Sequence, residues 1–199
     1  MTKPKQIIFA TGNKGKLAEV KKIFEGTEYE IISLYELGDV PEIIEDGNTF
    51  EANSFIKAKA IYDIHKKPVI ADDSGLEIEQ LDGRPGVYAA RYAGENCTYD
   101  DNNRKVISEL EEFHEPHKAR FVCCAVYYDG QNKEVSFGYL PGKIINEFRG
   151  QNGFGYDPIF VPEGFKQTLS EMNIEEKNKM SHRAEAFNEL KEKIISGHL

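Results

Sequence analysis

The chain has little of what would tie it to an oxidising compartment, a membrane or a nucleic acid. Its three cysteines, Cys97, Cys123 and Cys124, are odd in number and two are adjacent, so no disulfide framework or paired-cysteine zinc site is legible. A reducing cytoplasm is expected. Residues Met1 to Gln6 lead into only Ile7-Ile8-Phe9-Ala10, too short for a signal sequence or a membrane span, so the protein should be soluble with no membrane partner. Lysine and arginine number 25 against 34 aspartates and glutamates, and the net charge of −9 argues against DNA or RNA as the main partner. A small polyanion needs only a local cation cluster, for which Lys14, Lys16, Lys57, Lys177 and Arg183 are the candidates, together with a divalent metal. Repeats, low-complexity tracts and linker-like shifts are absent, and 199 residues suit a single domain, residues 1–199, with two lobes around a shared sheet.

Periodicity predicts a strand over Gln6–Ala10, a helix near Lys14–Glu25 and a strand over Tyr29–Ser33. Asn48, with Glu51 three residues on, predicts the N-cap of a long helix reaching about His65, followed by a short buried strand, Val69–Ala71, ending at Asp72. Asp82 to Gly86 is turn chemistry, and Thr98 with Asp101 starts another helix. Arg120–Tyr128 reads as a central strand turning at Asp129-Gly130 into an antiparallel partner near Val135–Leu140, with a further strand over Gly142–Ile145. A glycine-rich loop spans Gly150–Gly155, and Ala184–Ile195 is a closing amphipathic helix.

Four separated segments carry chemistry jointly, although each alone is a common turn or charge cluster. Thr11-Gly12-Asn13-Lys14-Gly15-Lys16 lies where a strand hands over to a helix, whose free N–H groups and positive dipole end attract anions. It is neither a Walker A loop, having only Asn13 and Lys14 between its glycines and Leu17 after Lys16, nor a dinucleotide fingerprint. Asp72 and Asp73 follow a buried strand and point to opposite faces in extended backbone, so one of them faces a ligand and the other holds the turn beside Ser74 and Gly75. Lys57 falls on the apolar stripe of Phe50, Ile61 and Ile64; its ammonium either snorkels to water or enters a cleft and meets phosphate. Gly153-Phe154-Gly155-Tyr156-Asp157-Pro158 is either a core aromatic loop or a platform on which a purine stacks. Ser181-His182-Arg183 says little by itself.

With these segments in this order, the chain closely resembles the inosine triphosphate pyrophosphatase family over nearly its whole length. The motifs are Thr11–Lys16, Ile70-Ala71-Asp72-Asp73-Ser74-Gly75-Leu76, Pro85–Tyr92, Gly153–Phe160, and Lys177 with Ser181-His182-Arg183. The resemblance implies an elongated, two-lobed α/β fold with a long mixed sheet, a central nucleotide cleft and homodimeric assembly. It also implies Mg²⁺ as cofactor. Thr11, Gly12, Asn13, Lys14, Gly15 and Lys16 should hold phosphates with help from Lys57, and Asp73 should bind metal and activate water. Ser74, Phe154, Gly155, Tyr156, Asp157, Lys177, His182 and Arg183 should complete the nucleotide site. Glu42 is implied as a metal ligand, with Glu45 its competitor. Ala52 stands where the family often has glutamate, and Tyr88–Tyr92 is expected to support the cleft or dimer.

The activity implied is Mg²⁺-dependent attack of water on the α-phosphorus of ITP, dITP or XTP, releasing pyrophosphate and the monophosphate and so cleansing the nucleotide pool. Phosphoryl chemistry of this kind needs charge neutralisation and in-line positioning, which Lys16, Lys57 and the metal supply, with Asp73 as base or water-orienting ligand. Donors at His182 and Arg183 would select the purine 6-carbonyl over the adenine amino group. The rival functions are a non-catalytic purine-nucleotide sensor and a pyrophosphatase for modified pyrimidine triphosphates.

Overall fold

The computed structural model describes residues 4–38 and 43–197. They divide into two compact units: Met1–Asp73 with Cys123–Gly138 and Arg183–Leu199, and Ser74–Val122 with Tyr139–His182. Each unit has its own buried apolar cluster. Among the described residues seven strands form one mixed sheet, and the fold is α/β. Its order is β2 (Tyr29–Ser33), β1 (Lys5–Phe9), β3 (Val69–Ile78), β5 (His117–Tyr128), β6 (Lys133–Ile144) and β7 (Phe160–Pro162), with β4 (Pro85–Gly86) also pairing with β3.

In the first unit β1 runs parallel to β2 and to the start of β3, where Ile8 faces Val69 and Phe9 faces Ile70. The pleat sorts the side chains. Ile7, Phe9, Ile31, Ile70, Cys123 and Ala125 join one cluster with Val20 and Phe24 from the region of α1 (Lys14–Ile23) and with Ala186, Phe187 and Leu190 of α5 (His182–Ile195). The alternate positions, Ile8, Val69, Ala71 and Cys124, are equally buried. α2 (Phe50–His65) meets Cys124 through Ser54, whose hydroxyl donates to the Cys124 carbonyl at 2.8 Å. Burial on both faces is why these strands read as continuous apolar runs.

In the second unit Leu76, Ile78, Ala119, Leu140, Ile144 and Phe160 pack with Val106 and Leu110 of α3 (Tyr99–Leu110). Residues 129–132 join β5 to β6, a connection short enough only for an antiparallel pair. Thr98 and Asp101 cap α3 reciprocally, as their spacing predicts.

Three expectations need correction. β3 does not end at Asp72 but continues to Ile78, because Leu76 and Glu77 gain antiparallel partners in Gly86 and Pro85 and Leu76 and Ile78 are buried. The helix predicted from Asn48 is capped one residue later: Thr49 Oγ1 accepts from the Ala52 amide at 3.1 Å. The strand predicted over Gly142–Ile145 is the continuation of β6, carried past Pro141 by pairing of Gly142, Lys143 and Ile144 with β7.

Candidate functional site

The Thr11–Lys16 segment joins β1 to α1 and is more strongly organised than its sequence implies. Asn13 is the N-cap of α1, and its Oδ1 accepts from Gly15 N at 2.8 Å and Lys16 N at 3.1 Å. These two amides are therefore already capped, which corrects the expectation of free N–H groups at the helix start. Thr11 Oγ1 accepts from Asn13 N at 3.1 Å, and the Tyr35 hydroxyl donates to the Gly12 carbonyl. Lys14 is exposed, with its ammonium 6.0 Å from the Tyr35 ring, and puts a cation beside the loop.

The two aspartates of β3 occupy opposite electrostatic worlds. Asp72 is buried, receives Lys16 Nζ at 2.7 Å and has Arg183 Nε at 3.5 Å, while Arg183 also holds Glu19 at 3.1 Å. Burial alone would raise the Asp72 carboxyl, but Lys16 and Arg183 overcome it and hold the group well below the usual carboxylate range. Asp72 is thus a fixed anion, unsuited to trading protons near neutrality. Asp73 is only half-buried, accepts from Asn53 Nδ2 at 3.0 Å and has Lys57 Nζ 4.0 Å from Oδ1. Its pKa is raised, chiefly by burial; Lys57 and Asn53 work against the rise, and Glu45 and Asp72 add to it.

Lys57 does not snorkel to bulk water. Its side chain is 13% exposed and its ammonium lies 2.5 Å from Glu45 Oε2 and 4.0 Å from Asp73 Oδ1. Phe50 and Ile61 of its stripe are buried as expected, but Ile64 is half-exposed. Two carboxylates therefore converge on one cation, a donor set of the kind Mg²⁺ takes alongside substrate phosphates. Among the described residues no cluster of three or more His, Cys, Asp or Glu side chains could hold a metal. Glu42 lies outside the described residues.

In the second unit the loop after β6 is tied from within. Asp157 accepts from the Phe154 amide at 3.0 Å and from Lys177 Nζ, in α4 (Ile174–Lys179), at 2.6 Å. Gly153 has φ +87°, and a Cβ there would stand 2.2 Å from Asp157 Oδ2, so only glycine permits this closure. Asn103 of α3 donates to the Gly155 carbonyl at 2.9 Å. Phe154 is 59% exposed, with the Tyr99 ring 6.3 Å away, and offers an open aromatic face. Tyr156, expected in the same role, is 4% exposed, lies in the apolar core and donates to the Ala89 carbonyl at 2.8 Å; it anchors the loop and cannot stack on a ligand. Ser74 is half-buried on β3, and the His182 ring stacks on Phe121 at 5.4 Å.

Each expected segment is thus placed: Thr11 to Lys16, Lys57, Asp73 and Arg183 in the first unit, and Ser74, Phe154 to Asp157, Lys177 and His182 in the second. Sequence reasoning missed Asn53, Glu19, Tyr35 and Asn103. Asn53 was recoverable, since it stands one helical turn before Lys57 and so shares its face. The others act across long separations that no local pattern marks.

The comparisons with known proteins follow the same residues. A model of the Ham1 family matches residues 7–193. A dITP/XTP pyrophosphatase from Caldanaerobacter subterraneus is 46% identical over 192 residues, 96% of each chain. One of the same name from Bacillus subtilis is 48% identical over 188 residues, covering 94% of this chain and 95% of that one. Among solved structures, a HAM1 protein from Coxiella burnetii superposes with a TM-score of 0.91 at 36% identity, covering 97% of this chain and all (100%) of that one. The Staphylococcus aureus Ham1 protein gives 0.88 at 38%, covering 98% and 100%. With the match running from β1 to the helix that opens on His182, and with the fold shared across nearly the full length, the chain belongs to the Ham1 family.

Proposed function

We propose that the protein hydrolyses non-standard purine nucleoside triphosphates, ITP, dITP and XTP, to the monophosphate and pyrophosphate. The observation that carries this reading is the partly desolvated Asp73 carboxylate between Asn53 and Lys57, on the strand that adjoins the phosphate loop. The names of the relatives from Caldanaerobacter and Bacillus support the substrate class.

Asp73 orients a water at the α-phosphorus and takes up its proton, a role its raised pKa favours. Lys57, held by Glu45, neutralises the charge that develops on the departing pyrophosphate. Lys16 turns from Asp72 toward the triphosphate, and Lys14 adds a second cation. Asp73 and Glu45 are the carboxylates that would hold Mg²⁺. A bound Mg²⁺ would supply charge neutralisation at the phosphate oxygens.

The second unit reads the base: Phe154 stacks on the purine, and the loop keeps its shape through Asp157, Lys177 and Tyr156. His182 and the adjacent Arg183 donate to the 6-carbonyl that adenine lacks. The same reading makes the protein a cytoplasmic homodimer without nucleic-acid or membrane partners. Its net charge of −9 and three free cysteines accord with this, and no helix of the described residues is long and apolar enough to cross a membrane.

The test is a product-resolved assay of ITP, dITP, XTP, dUTP, ATP and GTP with chromatography and separate phosphate and pyrophosphate detection. Pyrophosphate from the first three is expected. Stepwise orthophosphate release, or ATP consumed as fast as ITP, overturns the reading, and tight binding without turnover makes the protein a sensor.

A further inference from the structure

A carboxylate that must orient a water has two interchangeable oxygens, and something has to choose between them. Asn53 lies one turn before Lys57 on α2, with 2% of its surface exposed. Its Nδ2 donates to Asp73 Oδ2 at 3.0 Å, whereas Lys57 Nζ lies 4.0 Å from the other oxygen, Oδ1. The two oxygens are thereby made unlike. With the amide turned over, two acceptors would face each other, so the donor must point at the ionised aspartate.

The rest of the amide fits a positioning role better than a packing one. Asn53 Oδ1 is buried and has no hydrogen-bond partner among the described residues, an arrangement that native interiors avoid unless something is gained. Leucine would fill the space without that cost. Gly47 closes on the same oxygen: a Cβ there would stand 2.6 Å from Asn53 Oδ1 and 2.8 Å from the Ala52 Cβ. A glycine at 47 thus leaves the room that the Asn53 amide occupies, which any other residue there would take up.

Resting on the reading of Asp73 as the working carboxylate, we infer that Asn53 is its positioning residue. It pins Oδ2 so that Oδ1 is presented on the Lys57 side, with Gly47 leaving space for the amide. Asn53 touches neither substrate nor metal.

Asn53→Leu fills the volume without a donor, and Asn53→Ala removes both. With ITP, kcat should fall roughly 10- to 100-fold in both variants while KM stays within about twofold, whichever melts higher. Mn²⁺ titrated calorimetrically into the free protein should bind roughly 10- to 100-fold more weakly than in wild type, with Asp73→Asn as the reference for a lost ligand. Wild-type turnover and Mn²⁺ affinity in Asn53→Leu overturn the inference. Turnover that merely follows melting temperature from leucine to alanine does the same, as does failure of both variants to fold, since Asn53 is then structural. Should the wild type release no pyrophosphate from ITP, the proposed function fails and the Mn²⁺ titration still judges Asn53.

Discussion

Each unit holds a lysine–aspartate contact, Lys57 with Asp73 in the first and Lys177 with Asp157 in the second, and the two differ in kind. In the first, Lys57 is held 2.5 Å from Glu45 and stays 4.0 Å from Asp73, so the aspartate carboxylate is not closed into a tight pair with the cation. In the second, Lys177 and the Phe154 amide close on one oxygen of Asp157 at 2.6 and 3.0 Å, and the charge is consumed in holding a loop. What that loop exposes is an uncharged ring. Phosphate chemistry needs charges that can be redistributed, whereas base recognition needs a fixed frame with a neutral face. Substitutions should therefore separate rate from recognition along the same division.

The largest effect is expected at Asp73. Asp73→Asn keeps shape and removes the charge, so turnover should fall roughly 10²- to 10⁴-fold with the fold intact by circular dichroism. Near-normal turnover would pass the role to Glu45 or to carboxylates outside the described residues. Lys57→Met keeps the stem and deletes the ammonium, and kcat for ITP should fall roughly 10²- to 10³-fold. A variant that loses stability but not rate would return Lys57 to the core and erase the contrast.

Phe154→Ala tests the other side. The ring is exposed, so melting temperature should hold, while affinity for IMP should drop by about 1–3 kcal/mol with little change in kcat. Arg183→Ala straddles the division, because the guanidinium is paired with Glu19 and Asp72 yet neighbours His182. Stability should fall by about 3 kcal/mol, as when a buried pair loses one partner. The preference for ITP over ATP should fall roughly tenfold, measured as the ratio of kcat/KM.

The last effect is on pH dependence. Asp72 is held below its ordinary value of 3.8, so its contribution to stability is present above that value and is lost as pH falls through the folded-state value. Asp72→Asn should therefore melt below wild type at pH 7, with the gap closing in melts taken below pH 3.8. A gap that persists unchanged into acid would mean that shape, not charge, is what Asp72 supplies.

Much of this division was legible locally. The strand, glycines and helix start around Thr11–Lys16 are marked by an apolar run and helical spacing, although the Asn13 cap was not, and the pleat alone tells that Asp72 and Asp73 face opposite ways. Which aspartate is the fixed anion was not legible, since the answer comes from Lys16, 56 residues away, and from Arg183. Asp-Asp-Ser-Gly reads as a turn because its residues favour one, and only the pairing of Leu76 and Glu77 with β4 reveals a strand through it. Phe154 and Tyr156 are both aromatic beside glycine, and nothing in their spacing foretells that one is exposed and the other sunk in the core.

The adjacency of the two aspartates has a consequence for how the protein can fail. Deleting one residue from Val69–Ala71 would shift β3 by one step, moving Asp73 into the place of Asp72 and Ser74 into the place of Asp73. A carboxylate would still stand beside Lys16 and Arg183, but the one beside Lys57 and Asn53 would be gone. An insertion does the reverse: Asp72 would take the half-buried place of Asp73, and Ala71 would leave the half-buried Lys16 without its carboxylate and Arg183 with Glu19. Either step also runs on to the end of the strand, where a deletion sets Glu77 and Glu79 in the buried places of Leu76 and Ile78 and an insertion sets Gly75 and Glu77 there, so the register that separates the two aspartates is fixed by the apolar residues beyond them.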